Sequence, residues 1–317
     1  MPTQAAPVPG APFSIGLDMG GTKCAGVLLS ADDVVLAEFA RPTPGREGRD
    51  AVLHTLETVA ATLFDVAAQH GGCVTSLGVG VPGMITRSGE LRFAGHLGGY
   101  VGLPLPALLQ ERFGVPVSVD NDNTCAGFAE WVAGAGQGHE DLLFVGFGTG
   151  IGGGIVSGGR LQRGAHGFAG EIGHITLDAA GPVCTCGRQG CWELYASGTA
   201  LGRQGSDAFG TAMTGIEVME AGVSGRAEAV AVLDQFCRHI ARGLVDLIMV
   251  LDPASVVLGG GVLTRHDVLL PLIRQGVREL IGSAAELWPL PDIQVARFGP
   301  RAAAMGAAFI SRGLLAR

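Results

Sequence analysis

The sequence has 317 residues, which is more than one hydrophobic core usually supports, so we expect two domains. Hydrophobic residues make up 47% and charged residues 16%, which excludes a disordered chain, and the 53 glycines follow no Gly-X-Y period, which excludes collagen. A net charge of −8 without any Lys/Arg-rich run argues against nucleic acid as a partner, and we expect no membrane-spanning segment.

The N-terminal residues 1–12 are rich in Pro and Ala and have neither the basic start nor the apolar centre of a secretory signal. We therefore expect a disordered leader there and a cytoplasmic protein. Of the seven cysteines, three lie within residues 184–191, and in a cytoplasmic chain such a cluster favours a metal over a disulfide.

The first half of the chain predicts one α/β unit that opens with an antiparallel meander, because three short apolar runs are joined by tight turns. Apolar residues at helical spacing follow, and then buried strands alternate with a second helix. The expected order is β-β-β-α-β-α-β, over residues 13–18, 24–29, 34–39, 51–68, 77–81, 105–113 and 115–119.

The second half repeats the rhythm of a strand, a glycine turn and another strand, although the two halves are not close sequence repeats. Residues 164–193 have no regular period. Two α/β lobes with a cleft between them are the simplest interpretation. The strands are expected over 142–147, 151–156, 161–163, 255–258 and 293–296, and the helices over 226–251, 268–281 and 302–315.

Three glycine clusters each follow a strand and are typical of backbone that approaches a nucleotide closely. In the first, Asp18 could hold Mg²⁺ through water. A plain hairpin turn explains that first cluster equally well. The residues concerned are Asp18, Gly20, Gly21, Thr22 and Lys23, then Gly148, Thr149 and Gly150 in the run to Gly154, and then Gly259, Gly260 and Gly261.

Acidic and amide side chains follow the strand over 115–119, in the sequence Asp120-Asn121-Asp122-Asn123. Ligands usually bind at the carboxyl ends of strands in α/β sheets. One of these residues, Asn123, is expected to cap the next helix, which leaves a carboxylate for chemistry. Phosphoryl transfer to an alcohol needs one base near the hydroxyl group.

The most specific pattern is His174 followed by Cys184, Cys186 and Cys191. One imidazole and three thiolates supply the four ligands of a tetrahedral Zn²⁺ site, and four protein ligands leave no open position, so the site is expected to be structural. Beside it, Glu171 and Glu193 are either solvated surface charges or carboxylates that accept hydrogen bonds from sugar hydroxyls.

Taken together, these motifs resemble those of the ROK family of repressors, open reading frames and kinases, over nearly the whole chain from about residue 13. The motifs that carry the resemblance are Asp18–Lys23, Asn121-Asp122, Gly170–His174 and Cys184–Glu193. The resemblance implies an actin-like, ribonuclease-H-like α/β fold whose two lobes close on sugar and ATP. The expected lobes are residues 13–123 plus 302–317, and residues 124–301 with the zinc motif.

The resemblance also implies roles for single residues. Asp122 matches the base that deprotonates the 6-hydroxyl of the sugar, and Asn121 matches a sugar contact. Glu171, His174 and Glu193 are expected to bind hydroxyl groups of the sugar. His174 is expected to bind zinc through one ring nitrogen and the sugar through the other. The loop that ends at Gly83 resembles a wall of the sugar pocket. Gly148–Gly154 resembles the second phosphate loop, and Gly259–Gly261 resembles the adenosine loop.

One position departs from the family pattern, because His96 stands where the kinases often carry Asn. Glucose is the expected substrate, with N-acetylglucosamine, N-acetylmannosamine, mannose or allose as alternatives. A sugar-sensing regulator without catalysis is an alternative of another class, although the repressors of the family carry an N-terminal DNA-binding domain for which residues 1–12 are too short. A homodimer or homotetramer is expected.

Overall fold

The structure is a computed structural model that describes residues 10–44, 47–93 and 101–313. The chain divides into two compact units, and each is built around its own sheet. The first unit contains Met1–Ala129, Arg160–Phe168 and Arg301–Arg317, and the second contains Glu130–Gly159 and Ala169–Pro300.

The first unit contains eight strands of the described chain, five of which form one sheet. Its regular elements are β1 (Pro12–Met19), β2 (Lys23–Leu29), β3 (Val35–Pro42), α1 (Arg49–Gln69), β4 (Cys73–Val81), β5 (Met84–Ile85), β6 (Leu91–Phe93), α2 (Leu105–Phe113), β7 (Val117–Asn121), the start of α3 (Asp122–Ala133), β10 (Arg160–Leu161) and α9 (Ala302–Ser311). Strands β8 and β9 belong to the second unit.

The sheet of the first unit has the order β3-β2-β1-β4-β7. Antiparallel pairing of β1 with β2 and of β2 with β3 confirms the predicted meander. Strands β1, β4 and β7 are parallel to one another, so their carboxyl ends meet at one edge of the sheet.

Helix α1 packs its apolar stripe on this sheet, with Leu56, Val59 and Leu63 fully covered. By length and apolar composition alone α1 could cross a membrane, but 39% of its most apolar window is buried inside the protein. Its alternation of covered and exposed positions is that of a core helix on a sheet.

Helix α9 lies against strands β1 and β4, where glycine replaces the side chain that would separate helix from sheet. A Cβ atom on Gly16 would overlap the backbone of Ala304, and one on Gly78 would overlap that of Ala307. Helix α9 therefore packs directly on β1, the strand with which the described fold begins.

The second unit contains the remaining strands and most of the helices. Its elements are β8 (Leu142–Phe147), β9 (Ile151–Ser157), α4 (Glu193–Ala196), α5 (Gly198–Phe209), α6 (Gly215–Val223), α7 (Ala227–Leu251), β11 (Ser255–Gly259), α8 (His266–Ile281) and β12 (Asp292–Val295). Strand β8 pairs antiparallel with β9 and parallel with β11, which in turn pairs parallel with β12.

The core of this unit lies between the sheet and helices α7 and α8. Every residue of β8 is buried, as expected for a central strand covered on both faces. In α7 the buried side chains recur at helical spacing, through Leu233, Phe236, Ile240 and Leu244. This packing fixes the edge at which β8 and β11 both end in glycine-rich turns.

Candidate functional site

The carboxyl-end edge of the first sheet gathers the predicted acidic residues. In the register of the parallel strands, Asp18 lies beside Gly80, and Gly80 lies beside Asp120. Asn121 pairs with Val81, and its side-chain amide donates to the carbonyl oxygen of Gly83 at 3.1 Å. The edge therefore joins β1, the turn after β4 and the start of α3.

Asp122 is the first residue of α3, and its carboxylate is held in place by the next residue. The Oδ1 atom accepts the backbone N–H of Asn123 at 2.8 Å and its side-chain amide at 3.0 Å. Two donors on one oxygen fix the direction of the carboxylate, which is what a base needs if it is to meet one hydroxyl group.

The residue that caps α3 is Asn121, and the expectation that Asn123 does so is wrong. The Oδ1 atom of Asn121 accepts the backbone N–H groups of Asn123 and Thr124 at 2.9 and 3.0 Å. The strand continues through Asn121, so the helix begins at Asp122 and the capping position falls one residue before it.

Burial dominates the electrostatics of this edge. It raises the pKa of Asp18 to about 7, with the Asp122 carboxylate adding to the rise and the Lys23 ammonium opposing it. Burial also raises the pKa of Asp122, against the hydrogen bonds from Asn123. The thiol of Cys125 has a pKa far above its usual range, through burial and then the charges of Asp120 and Asp122. The carboxylates thus crowd one poorly solvated place.

The turn between β1 and β2 is a closed hairpin. The N–H of Gly20 donates to the carbonyl of Lys23 at 2.9 Å, and Thr43 brackets the turn with hydrogen bonds to Gly20 and Thr22. Gly21, Thr22 and Lys23 are exposed. The hairpin and the phosphate-facing interpretations are therefore compatible, with any anion meeting the outer side of the turn.

In the second unit, the two other glycine clusters meet at one edge of the sheet. Gly148–Gly150 joins β8 to β9, and Gly259–Gly261 follows β11, whose Gly259 pairs with Gly146. Gly260 has φ +89, and a Cβ atom there would overlap the backbone of Phe147. Only glycine allows so close an approach, which leaves backbone without side chains at the edge.

The four predicted metal ligands converge in the second unit, and their donor atoms all lie within 4.8 Å of one another. The Sγ atoms of Cys186 and Cys191 are 3.7 Å apart, and Cys184 Sγ is 3.8 Å from His174 Nδ1. Ligands at about 2.3 Å in a tetrahedron are separated by about 3.7 Å. The donor set and its spacing therefore fit Zn²⁺.

The turn that carries the first two thiols is shaped by the backbone. The N–H of Cys184 donates to the carbonyl of Arg188 at 2.7 Å, and the N–H of Gly187 donates back to Cys184 at 2.9 Å. Gly187 adopts φ +88, which a side chain would disfavour. The turn aims two cysteines to the same side, as a metal site requires.

The acidic residues beside this cluster flank His174 and the first glycine turn of the second unit. His174 directs Nδ1 toward Cys184, while Nε2 lies 3.8 Å from Glu171 Oε2. Glu193 opens α4, and its Oε2 accepts the backbone N–H of Ile151 at 3.0 Å. Each ring nitrogen of His174 thus faces a different group, and Glu193 joins the cysteine cluster to the turn before β9.

Sequence reasoning missed two charged residues that the fold uses. Arg163 forms an ion pair with the buried Asp120, and Glu130 is fully buried. The Glu130 carboxylate accepts three backbone N–H groups, those of Ala135, Arg297 and Phe298. Asp120 belongs to the acidic motif, but Arg163 and Glu130 have no local pattern that marks them. His96, predicted to contact the sugar, lies outside the described residues.

Comparison with known proteins places these features in context. The model of a family described as the ROK family matches residues 14–313. The chain is 33% identical to a glucokinase from Streptomyces coelicolor, over 95% of this chain and 98% of the relative. It is 31% identical to an N-acetylmannosamine kinase from Citrobacter koseri, over 95% of this chain and 99% of the relative.

Solved structures give the same picture. A ROK hexokinase from Thermus thermophilus superposes with a TM-score of 0.83 at 34% identity, over 96% of this chain and 99% of that chain. A ROK family glucokinase from Streptomyces griseus, in complex with glucose and AMPPNP, superposes with a TM-score of 0.84 at 33% identity, over 95% and 99%.

Proposed function

Since the chain belongs to the ROK family, we propose that it is an ATP-dependent kinase that phosphorylates the 6-hydroxyl of a hexose, with glucose as the preferred sugar. It has the actin-like, two-domain α/β fold of ROK sugar kinases. The observation that carries the proposal is the similarity, over nearly the whole chain, to glucokinases. One of these was solved in complex with glucose and the ATP analogue AMPPNP.

The proposed base is Asp122, supported by its position at the start of α3 and by the two donors on Oδ1. It takes the proton of the 6-hydroxyl as that oxygen bonds to the γ-phosphorus of ATP. The bond from the γ-phosphorus to the bridging oxygen breaks, and ADP leaves. Water exclusion by the surrounding protein suppresses hydrolysis of ATP.

For the sugar, we propose contacts with Asn121, the Gly83 loop and His96, together with Glu171, His174 and Glu193. The support is the fixed geometry of the second group, which lies beside the cysteine cluster. Carboxylates and imidazole are suitable partners for neighbouring hydroxyl groups. Bound zinc would hold His174 and the three cysteines rigid, and it supplies structure and no reaction step.

For the nucleotide, we propose the edge formed by Gly148, Thr149, Gly150 and Gly259–Gly261, with the turn Gly20–Lys23 on the first unit. The support is the glycine-rich backbone at each of these places. When bound, Mg²⁺ neutralises phosphate charge, and Asp18 is the residue proposed to hold it through water.

We further propose that the chain works in the cytoplasm as a homodimer or homotetramer. The described cysteines form no disulfide with one another, as expected in a reducing compartment. Light scattering on the purified chain tests the assembly.

N-acetylmannosamine is the second candidate substrate, because the kinase from Citrobacter koseri matches at nearly the same identity as the glucokinase. A coupled assay of ADP release with ATP and Mg²⁺ separates the two. The panel contains glucose, N-acetylglucosamine, N-acetylmannosamine, mannose, fructose and allose. Glucose should give the highest kcat/KM. If a folded, zinc-loaded chain released no ADP with any sugar of the panel, this would contradict the kinase proposal and favour a sugar-sensing regulator.

A further inference from the structure

Arg163 and Asp120 form an ion pair in the first unit, between the segment that follows β10 and the end of β7. Their side chains are 21% and 6% exposed, so the pair is largely removed from water. Arg163 Nε is buried and has no hydrogen-bond partner in the described part of the chain. Within the described residues, the ion pair of this guanidinium is the one with Asp120.

Asp120 also binds the backbone next to Asp122. Its Oδ1 atom accepts the N–H of Asn121 at 2.9 Å, while Oδ2 faces Arg163. Asn121 in turn caps α3 and binds the carbonyl of Gly83. A continuous series of contacts thus runs from Arg163 through Asp120 and Asn121 to the first turn of α3, which contains Asp122.

The charge balance of the edge depends on the same pair. Burial and then the charges of Asp120, Asp122 and Asp18 raise the pKa of Cys125, whereas Lys23 opposes the rise in the pKa of Asp18 and Arg163 opposes it at Asp120 and Cys125. Lys23 is exposed, whereas Arg163 is mostly covered. Without Arg163 the buried Asp120 carboxylate would turn toward water or take up a proton, because an unpaired buried charge is costly. Either change weakens the hydrogen bond that the Asp120 carboxylate accepts from the N–H of Asn121.

Arg163 is delivered to Asp120 on a segment that is itself anchored. The neighbouring carbonyl of Gly164 accepts two hydrogen bonds from the guanidinium of Arg87, at 2.9 and 2.6 Å. Both anchors lie within the first unit. The Arg163 guanidinium is therefore preorganised, unlike that of an arginine on a free surface loop.

We propose that Arg163 is a positioning residue for Asp122, acting through Asp120 and Asn121. The inference rests on the proposed function, in which Asp122 is the base. Loss of the guanidinium displaces the start of α3 and slows proton removal. Because Asn121 is also a proposed sugar contact, the sugar KM rises as well, but by a smaller factor than kcat falls. A displacement of about 1 Å at a reacting group costs on the order of 100-fold in rate.

The test compares Arg163→Met with Arg160→Met, the same change at an exposed position of the same segment. In the coupled assay, Arg163→Met should lower kcat by about 10- to 100-fold and change the sugar KM by less than about threefold. Arg160→Met should stay within about twofold of the unchanged chain in both constants. Thermal unfolding of each variant reports whether it is folded.

Two rescues distinguish positioning from general packing. Arg163→Lys keeps the charge and should recover most of kcat. The double variant Asp120→Asn/Arg163→Met removes both charges and keeps an acceptor for the Asn121 N–H, so its kcat should exceed that of Arg163→Met by about tenfold. Where Arg163→Met fails to fold, these two variants decide the question.

The proposal is overturned if Arg163→Met keeps kcat within about twofold, if KM rises as much as kcat falls, or if neither rescue improves kcat. In these cases the unchanged chain is an active kinase and Asp122→Asn is inactive, so the proposed function stands. An inactive unchanged chain, or an active Asp122→Asn variant, overturns the proposed function and this inference with it.

Discussion

The Glu193 carboxylate accepts the backbone N–H of Ile151, with Oε2 3.0 Å from the nitrogen. One residue thereby links the cysteine cluster, which ends at Cys191, to the glycine turn that precedes β9. One oxygen of Glu193 serves the protein backbone, which leaves Oε1 as the atom proposed to meet a sugar hydroxyl.

Replacement of Glu193 should separate these two roles. Glu193→Ala leaves the Ile151 N–H unsatisfied and should lower the free energy of unfolding by about 1–3 kcal/mol as well as raise the sugar KM. Glu193→Gln keeps an acceptor, so it should lose less stability than Glu193→Ala and still raise KM. Urea unfolding and the coupled assay measure the two effects. Glu220→Ala, at an exposed position on α6, is the control and should change neither.

Asp122→Asn should lower kcat by about 100-fold or more, because amide nitrogen and oxygen cannot take up the hydroxyl proton at neutral pH. Asparagine fills the same volume and can still accept the Asn123 N–H, so the fold and the binding of sugar should persist. The coupled assay measures turnover, and calorimetric titration measures sugar affinity. Turnover near that of the unchanged chain would remove Asp122 as the base.

Cys186→Ser should bind less zinc and melt at a lower temperature, because a structural zinc site contributes directly to folding. Metal analysis of the purified chain should give about one zinc per chain before the change. Cys73→Ser alters an exposed thiol outside the cluster and should keep both metal and melting temperature. A fully folded and active chain without zinc would contradict the structural role.

The raised pKa of Asp18 leads us to expect that the folded protein becomes less stable as pH rises. Its pKa is raised from 3.8 to about 7 in the folded protein, so between these values the folded state binds more proton than the unfolded state. The free energy of unfolding should therefore fall as pH rises across this window, by on the order of 1–4 kcal/mol. Without nucleotide or metal, Asp18→Asn should show a smaller decline and be the more stable chain at about pH 8, with burial of Asp122 still contributing to the remaining decline. Asp32→Asn, at an exposed position, should behave like the unchanged chain.

Periodic signals in the sequence were sufficient for the long elements. The meander, α1, α7 and α8 were all predicted to within a few residues, and α2 and β8 had the predicted bounds. Each has a run of apolar side chains at a spacing that only one kind of element can bury. The zinc ligands were equally visible, since one imidazole and three thiols at short spacing are typical of a tetrahedral metal site.

Elements without such a period were not predicted. The hairpin of β5 and β6 has strands of two and three residues, too short to show alternation. Helix α5 contains Gly202 and Gly205, which lower helix propensity but allow close packing of α6. β7 was expected to end at Val119, but its pairing with β4 continues to Asn121 and thereby moves the cap of α3.

The charged pairs of the fold were invisible for a different reason. Arg163 lies 43 residues after Asp120, and no local pattern joins them. Burial made the pair important, and burial of a single charged side chain depends on tertiary structure. Such contacts can be predicted only when the neighbouring elements are already in place.

The packing of α9 on β1 has a consequence for biosynthesis. Strand β1 is synthesised more than 250 residues before α9, its packing partner, which rests on the surface that Gly16 and Gly78 form. The second unit is nearly continuous in sequence and can complete its core earlier. Since chains grow at about 5–20 residues per second, the surface of the N-terminal sheet that α9 covers stays exposed for many seconds after α1 has been made.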